Sequence, residues 1–141
     1  MAVNPPDRAK VAFWNKALSP YFGPDTRRSL AQLFSSAIPF FALWILAFQA
    51  TRWSYWLTLA LALPTAGFLM RLFMIQHDCG HGSFFSSRRA RDILGFWIGV
   101  LTLTPYAYWR KTHAYHHAHS GDLDLRGFGD IDTLTVNEYL T

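Results

Sequence analysis

The chain has 141 residues, of which 51% are hydrophobic, 17% aromatic and only 16% charged. Ordinary soluble domains carry about 25% charged residues, so this balance excludes intrinsic disorder and argues against a plain soluble globule. A single cysteine excludes an internal disulfide framework, and a net charge of +4 leaves nucleic acid or an anionic membrane surface as acidic partners.

Residues 1–28 hold Pro5, Pro6, Pro20 and Pro24, and between them Val11, Trp14 and Leu18 share one helical face. This predicts a cytosolic or interfacial N-terminal segment with one short helix. Residues 29–51 contain no charge over 23 positions, centred on AIPFFALWILAF. As a helix they would reach about 35 Å, against a hydrocarbon core of about 30 Å. A second uncharged run, residues 53–70, has 18 positions. Together they predict a transmembrane hairpin over 29–76, with Pro39 and Pro64 as kinks rather than breaks. The first run starts too late and is too long for a cleaved signal peptide. The third uncharged run, 93–109, carries two glycines and a proline, which predicts a re-entrant or interfacial helix.

The positions of Lys and Arg set the expected topology. Five precede the first run, Arg52 alone stands between the two, and seven follow. By the positive-inside rule both ends face the cytoplasm and the Arg52 turn lies outside, with Trp44, Trp53, Tyr55 and Trp56 as interfacial anchors. Basic residues that bracket apolar segments suit anionic lipid headgroups. No separate basic domain exists for nucleic acid.

All six histidines fall within residues 77–119, in the clusters HDCGH (77–81) and HAYHHAH (113–119). On helices, His77 and His81 are one turn apart, as are His113 and His117, with His116 on the same face. Five imidazoles could therefore converge from two helical segments. One histidine on an apolar face is ordinarily a hydrogen-bonded core residue, but six clustered beside apolar spans point to metal. The zinc-protease pattern needs a glutamate after the first histidine, where this chain has Asp78. A thiolate-rich structural zinc site needs several cysteines, and there is only Cys79, read as a small packing residue. A bis-histidine haem would leave most of the histidines unused. A non-haem iron centre fits best.

The segments HDCGHGSFF and THAYHHAHSGDLD resemble the first two histidine boxes of the membrane fatty acid desaturases. The trailing GDIDTLTVNEY is similar to the bacterial acyl-lipid enzymes of the Δ12 or ω-6 type. The resemblance covers residues 68–139 in motif and 29–70 in topology. It implies an all-α integral membrane protein: a transmembrane helical hairpin followed by cytosol-facing helices, within 77–141, that carry the histidine boxes. It implies a di-iron site with His77, His81, His113, His116 and His117 as ligands, and O2 as co-substrate. It also implies a fatty acyl substrate in the bilayer and electrons from a ferredoxin or a small b-type cytochrome. The expected location is the bacterial inner membrane with the boxes facing the cytoplasm. An unactivated methylene C–H is too strong for side-chain acid–base chemistry, so the protein's task is to hold the metal and position the chain. Asp78, Asp122 and Asp124 are the nearest carboxylates that could orient the imidazoles, and His119 lies outside the family's spacing, as an orienting or surface residue. Trp97, Tyr106, Tyr108 and Trp109 could line an acyl channel or anchor at the interface. Arg88, Arg89 and Arg91 are expected at lipid headgroups.

The family has a third box, His-x-x-His-His, after two further spans, and this chain has no histidine beyond His119. These residues are therefore expected to be the N-terminal part of a longer protein, an incomplete bundle with an incomplete site. Rival readings are a carotenoid ketolase or lipid hydroxylase of the same superfamily, a non-catalytic metal-binding or assembly subunit, and an inert fragment.

Overall fold

The computed structural model describes residues 8–21, 23–125 and 134–141. Pro5, Pro6, Arg126 and the GDIDT segment, 129–133, lie outside them. Among the described residues every regular element is a helix: α1 (Arg8–Leu18), α2 (Thr26–Ala50), α3 (Tyr55–His81), α4 (Arg88–Leu101), α5 (Tyr106–His119) and α6 (Val136–Leu140), with single 3₁₀ turns at Ser19–Tyr21 and Leu123–Leu125.

The two long helices start where the sequence supplies caps. Asp25 accepts hydrogen bonds from the backbone N–H groups of Arg27 and Arg28 at 2.9 and 3.3 Å, and Ser54 accepts from that of Leu57 at 3.4 Å. Both helices run on through their internal prolines, Pro39 and Pro64. They reach about 38 and 40 Å at ~1.5 Å per residue, more than a ~30 Å hydrocarbon core needs. They pack antiparallel as a hairpin, yet only 17% and 11% of their most apolar windows is buried. A soluble core helix would have the reverse balance, so both are helices long and apolar enough to cross a membrane with their apolar surface turned outward. At the tip of the hairpin Trp53, Tyr55 and Trp56 are 87%, 70% and 77% exposed, as interfacial anchors require.

The third element departs from a simple reading of charge. α3 does not stop where the uncharged run stops at Met70. It continues through Arg71 and carries His77 and His81 on its last turns. A ~30 Å core takes about 20 residues of helix, so the first histidine box sits on the same rigid rod as the span, just past its apolar part. Gly82 ends the rod in a left-handed conformation, φ +82°, with Gly82 N–H donating to Cys79 O and Ser83 N–H to Asp78 O. This is a Schellman closure that glycine accepts at no steric cost.

The uncharged stretch 93–109 divides between two helices. α4 ends at Leu101 with the same closure, Thr104 N–H donating to Gly99 O at 2.8 Å and Leu103 N–H to Val100 O at 3.3 Å. Here the left-handed residue is Leu103, φ +56°. Pro105, which has no N–H to extend α4, precedes α5. The chain folds back tightly because of two glycines. A Cβ on Gly95 would lie 2.5 Å from the Tyr106 ring, and one on Gly99 would lie 2.5 Å from Thr104 O. Tyr106 is thereby buried against α4 rather than lining a channel.

The core lies at the end of the hairpin away from Trp53. Phe40, Leu72, Ile75, Cys79, Phe84, Ile98 and Tyr106 form it. Ser29 donates to Phe84 O, and Gln76, fully buried, accepts from Thr102 Oγ1 at 3.0 Å. These two bonds tie the start of α2, the end of α3 and the turn after α4 together. Arg110 on α5 pairs with Asp92 on α4 at 2.5 Å and lies over the Tyr106 ring at 5.4 Å. α1 forms as expected, with Val11, Trp14 and Leu18 exposed.

Candidate metal centre

Cys79 faces the core, so the other face of α3's last turns carries His77 and His81 toward α5. The α4–α5 turn brings α5 back across this end, and His113 and His117 meet them. His81 Nε2 lies 3.2 Å from His77 Nε2 and 3.1 Å from His113 Nε2, and His117 Nε2 lies 3.1 Å from His113 Nε2. One ring nitrogen from each of the four lies within 4.8 Å of all the others.

These three spacings are close to the edges of a ligand shell. Nitrogens bound at ~2.0–2.1 Å to one ion stand about 3.3 Å apart at tetrahedral corners and closer at octahedral ones. The set is all imidazole, with no thiolate and no carboxylate in it. Such a set suits iron, zinc, copper or nickel. His81 and His113 link the four, and His113 is in contact with both His81 and His117. Burial, and then the nearby His77, His117, His81 and His116, push its pKa down to about 4. It is therefore a neutral donor at pH 7.

His116 lies beside the four, not among them: its ring is 6.0 Å from that of His113 and 5.5 Å from that of His117. Asp78 reaches the site, with Oδ1 3.3 Å from His77 Nδ1. His119 turns away, its Nδ1 2.9 Å from Tyr115 O and its ring against Tyr115 at 4.1 Å. Asp122 closes its own loop, accepting from Asp124 N–H at 3.0 Å, and both are exposed. Trp97 and Tyr108 are exposed as well. Of the three arginines, Arg91 folds inward onto Phe85 O and Ser86 O, Arg88 pairs with Asp92 at 3.7 Å, and Arg89 is exposed.

Sequence reasoning gave Trp109 only a channel or interfacial role. The structure seats it, half-buried, against the imidazoles. It stacks on His113 at 4.6 Å and 15°, and lies 5.8 Å from His77. The signal available beforehand was its position one turn before His113 on the same helix.

Known proteins are similar to this chain in the same region. The profile of the fatty acid desaturases matches residues 50–139. A fatty acid desaturase of Bacillus subtilis is 54% identical over 124 residues, 88% of this chain and 35% of that protein. An sn-1 acyl-lipid omega-3 desaturase (ferredoxin) of Synechocystis is 36% identical over 103 residues, 73% of this chain and 28% of that protein. A fatty acid conjugase of Calendula officinalis is 47% identical over 57 residues, 40% of this chain and 15% of that protein. The chain thus spans about a third of the length of its Bacillus relative. No solved structure gives a significant match. The matched residues include both histidine clusters and the helices that bring them together, and the chain belongs to the fatty acid desaturase family.

Proposed function

We propose that this chain is the N-terminal part of an integral-membrane acyl desaturase, and that His77, His81, His113 and His117 hold iron at the membrane surface. The observation that carries the reading is the four-imidazole cluster, with 3.1–3.2 Å edges, at the end of two apolar helices. Its donor set fits non-haem iron, which when bound would supply the O2-dependent oxidation that an unactivated methylene requires. In the balanced reaction the acyl chain gives up two hydrogens, O2 takes them with two further protons and two electrons, and two waters leave.

This chain's residues then have distinct tasks. The four histidines present Nε2 donors. Asp78 accepts the Nδ1 proton of His77 and so keeps that ring's Nε2 free for the metal. His116, at the flank of the cluster, serves a second iron, whose remaining ligands come from beyond these residues. The apolar hairpin places the site where an acyl chain in the bilayer can reach it, on the cytoplasmic side if Arg27, Arg28 and Arg71 follow the positive-inside rule. Electrons come from a ferredoxin or a small b-type cytochrome.

The test is alanine replacement of His77, His81, His113, His116 and His117, one at a time, in the full-length protein. Each variant should lose the unsaturated product, read by gas chromatography of acyl chains, and should hold less iron. His119→Ala should keep both. A ligand histidine whose loss leaves product and iron unchanged would leave the set, and retention in all five would overturn the reading.

A further inference from the structure

We propose that Trp109 is a positioning residue that holds His113 in its ligating orientation, and that Gly80 is the opening in α3 that admits it. The inference rests on the metal-centre reading above and adds to it a residue outside both histidine boxes.

His113 is one of the two imidazoles that link the cluster: its Nε2 touches His81 and His117 at 3.1 Å each, as that of His81 touches His77 and His113. A ligating histidine is ordinarily kept in place by a hydrogen bond at its other ring nitrogen. His77 has such a partner in Asp78. Among the described residues the hydrogen bonds of His113 run only through Nε2. What meets its ring instead is the indole of Trp109, nearly parallel at 15° with 4.6 Å between centroids. A stacked imidazole cannot turn about its Cβ–Cγ bond without losing that face.

The indole itself rests on α3. Phe73 meets it edge-on at 5.6 Å and 72°. Two turns further along the same helix it comes so close to Gly80 that a Cβ there would lie 3.0 Å from Trp109 Cζ3 and 3.7 Å from Cη2. Gly80 is in the last turn of α3, and no positive φ calls for a glycine there. Its lack of a side chain has a use here only in making room for the indole. Phe73 and Gly80 are seven residues apart on one face of α3, so a methyl group at Gly80 pushes the indole away from that helix, and a displaced indole takes the stacked His113 ring with it.

The experiment uses the full-length protein in detergent, stripped of metal and titrated with Co²⁺. Affinity and the visible absorption of the bound Co²⁺ are read, with a thermal melt as the folding control. Trp109→Phe keeps a flat face and should stay within about threefold of the unsubstituted protein, whereas Trp109→Leu keeps apolar bulk without the face and should lose about tenfold or more with a shifted absorption band. Gly80→Ala alone should lose about tenfold, and the loss should shrink to about threefold when it is combined with Trp109→Phe, which removes the atom the methyl strikes. Equal affinities and spectra for the Phe and Leu variants would overturn the proposal, as would a harmless Gly80→Ala. If Trp109→Leu does not fold, the coupling between Gly80→Ala and Trp109→Phe decides alone: additive losses overturn it. An unsubstituted protein that takes up no Co²⁺ would overturn the metal centre and this inference with it, whereas uptake with no difference among the variants would overturn this inference alone.

Discussion

Replacing Asp78 should weaken metal binding while leaving the fold intact. Its Oδ1 lies 3.3 Å from His77 Nδ1, on the side of the ring away from the cluster. A carboxylate there fixes the proton on Nδ1, leaves the Nε2 lone pair toward His81, and makes the imidazole a better donor. Loss of such a partner typically costs 10–100-fold in affinity, which is about 1.4–2.7 kcal/mol. The side chains of His77 and Asp78 are 26% and 38% exposed, so water screens the pair and can replace part of the contact. Asp78→Asn, which still offers an acceptor, should therefore cost about tenfold, and Asp78→Ala somewhat more. The assay is a metal titration of the stripped protein in detergent, with the melting temperature of the metal-free form as control. Unchanged affinity in Asp78→Ala, with an unchanged melt, would show that His77 needs no carboxylate and would refute the argument.

Two further outcomes follow from the same geometry. Folded His113 takes up its proton only near pH 4, whereas an unfolded histidine does so near 6.5. As pH falls from about 6.5 toward 4 the unfolded chain binds a proton that the folded chain does not, so this group destabilises the fold across that window and is neutral above it. The metal-free protein should melt at a lower temperature at pH 5 than at pH 7.5, and His113→Gln should reduce that difference; an identical difference in the variant would remove His113 as a cause. Gly95→Ala places a methyl group 2.5 Å from the Tyr106 ring, an overpacking that should cost about 1–3 kcal/mol. A thermal melt should show the loss, and metal affinity should fall with it because Tyr106 anchors the start of α5.

Much of the frame is legible in the sequence for simple reasons. A run of 23 uncharged residues can hardly be anything but a long helix. His77/His81 and His113/His117 are each spaced by one helical turn, which places each pair on one face without any tertiary information. What the sequence does not show is where two segments meet. The charge of Arg71 suggests an end to the second span, yet α3 continues because its buried face, Leu72, Ile75, Gln76 and Cys79, packs into the core while Arg71 stays exposed. Gly95 and Gly99 weaken the expectation of one continuous helix over 93–109, but nothing local says that Tyr106 will come back onto them. Asp122 and Asp124 are near the second box in sequence and turn onto their own loop, whereas Asp78, inside the first box, reaches an imidazole.

The arrangement of the two boxes also explains why they are unequal. Both helices contribute histidines spaced by four, and these four donors close one cluster. His116 is three residues after His113, which rotates it about 60° around α5 from His113, on the side away from His117. That flank sets the His116 ring 6.0 Å from His113 and 5.5 Å from His117, outside the four-nitrogen cluster. It can serve a neighbouring ion while its own helix stays fixed to the first. On the proposed two-iron reading the second box would thus reach two sites, whereas the first box, with histidines only at 77 and 81, commits both of its rings to one. On this view His116→Ala should leave the affinity for the first equivalent of metal within about threefold, while His113→Ala should lower it by at least the factor of about ten that a lost orienting partner costs. Stepwise titration separates the two cases: loss of the first equivalent in His116→Ala would put that ring in the first shell and refute the assignment by helical position.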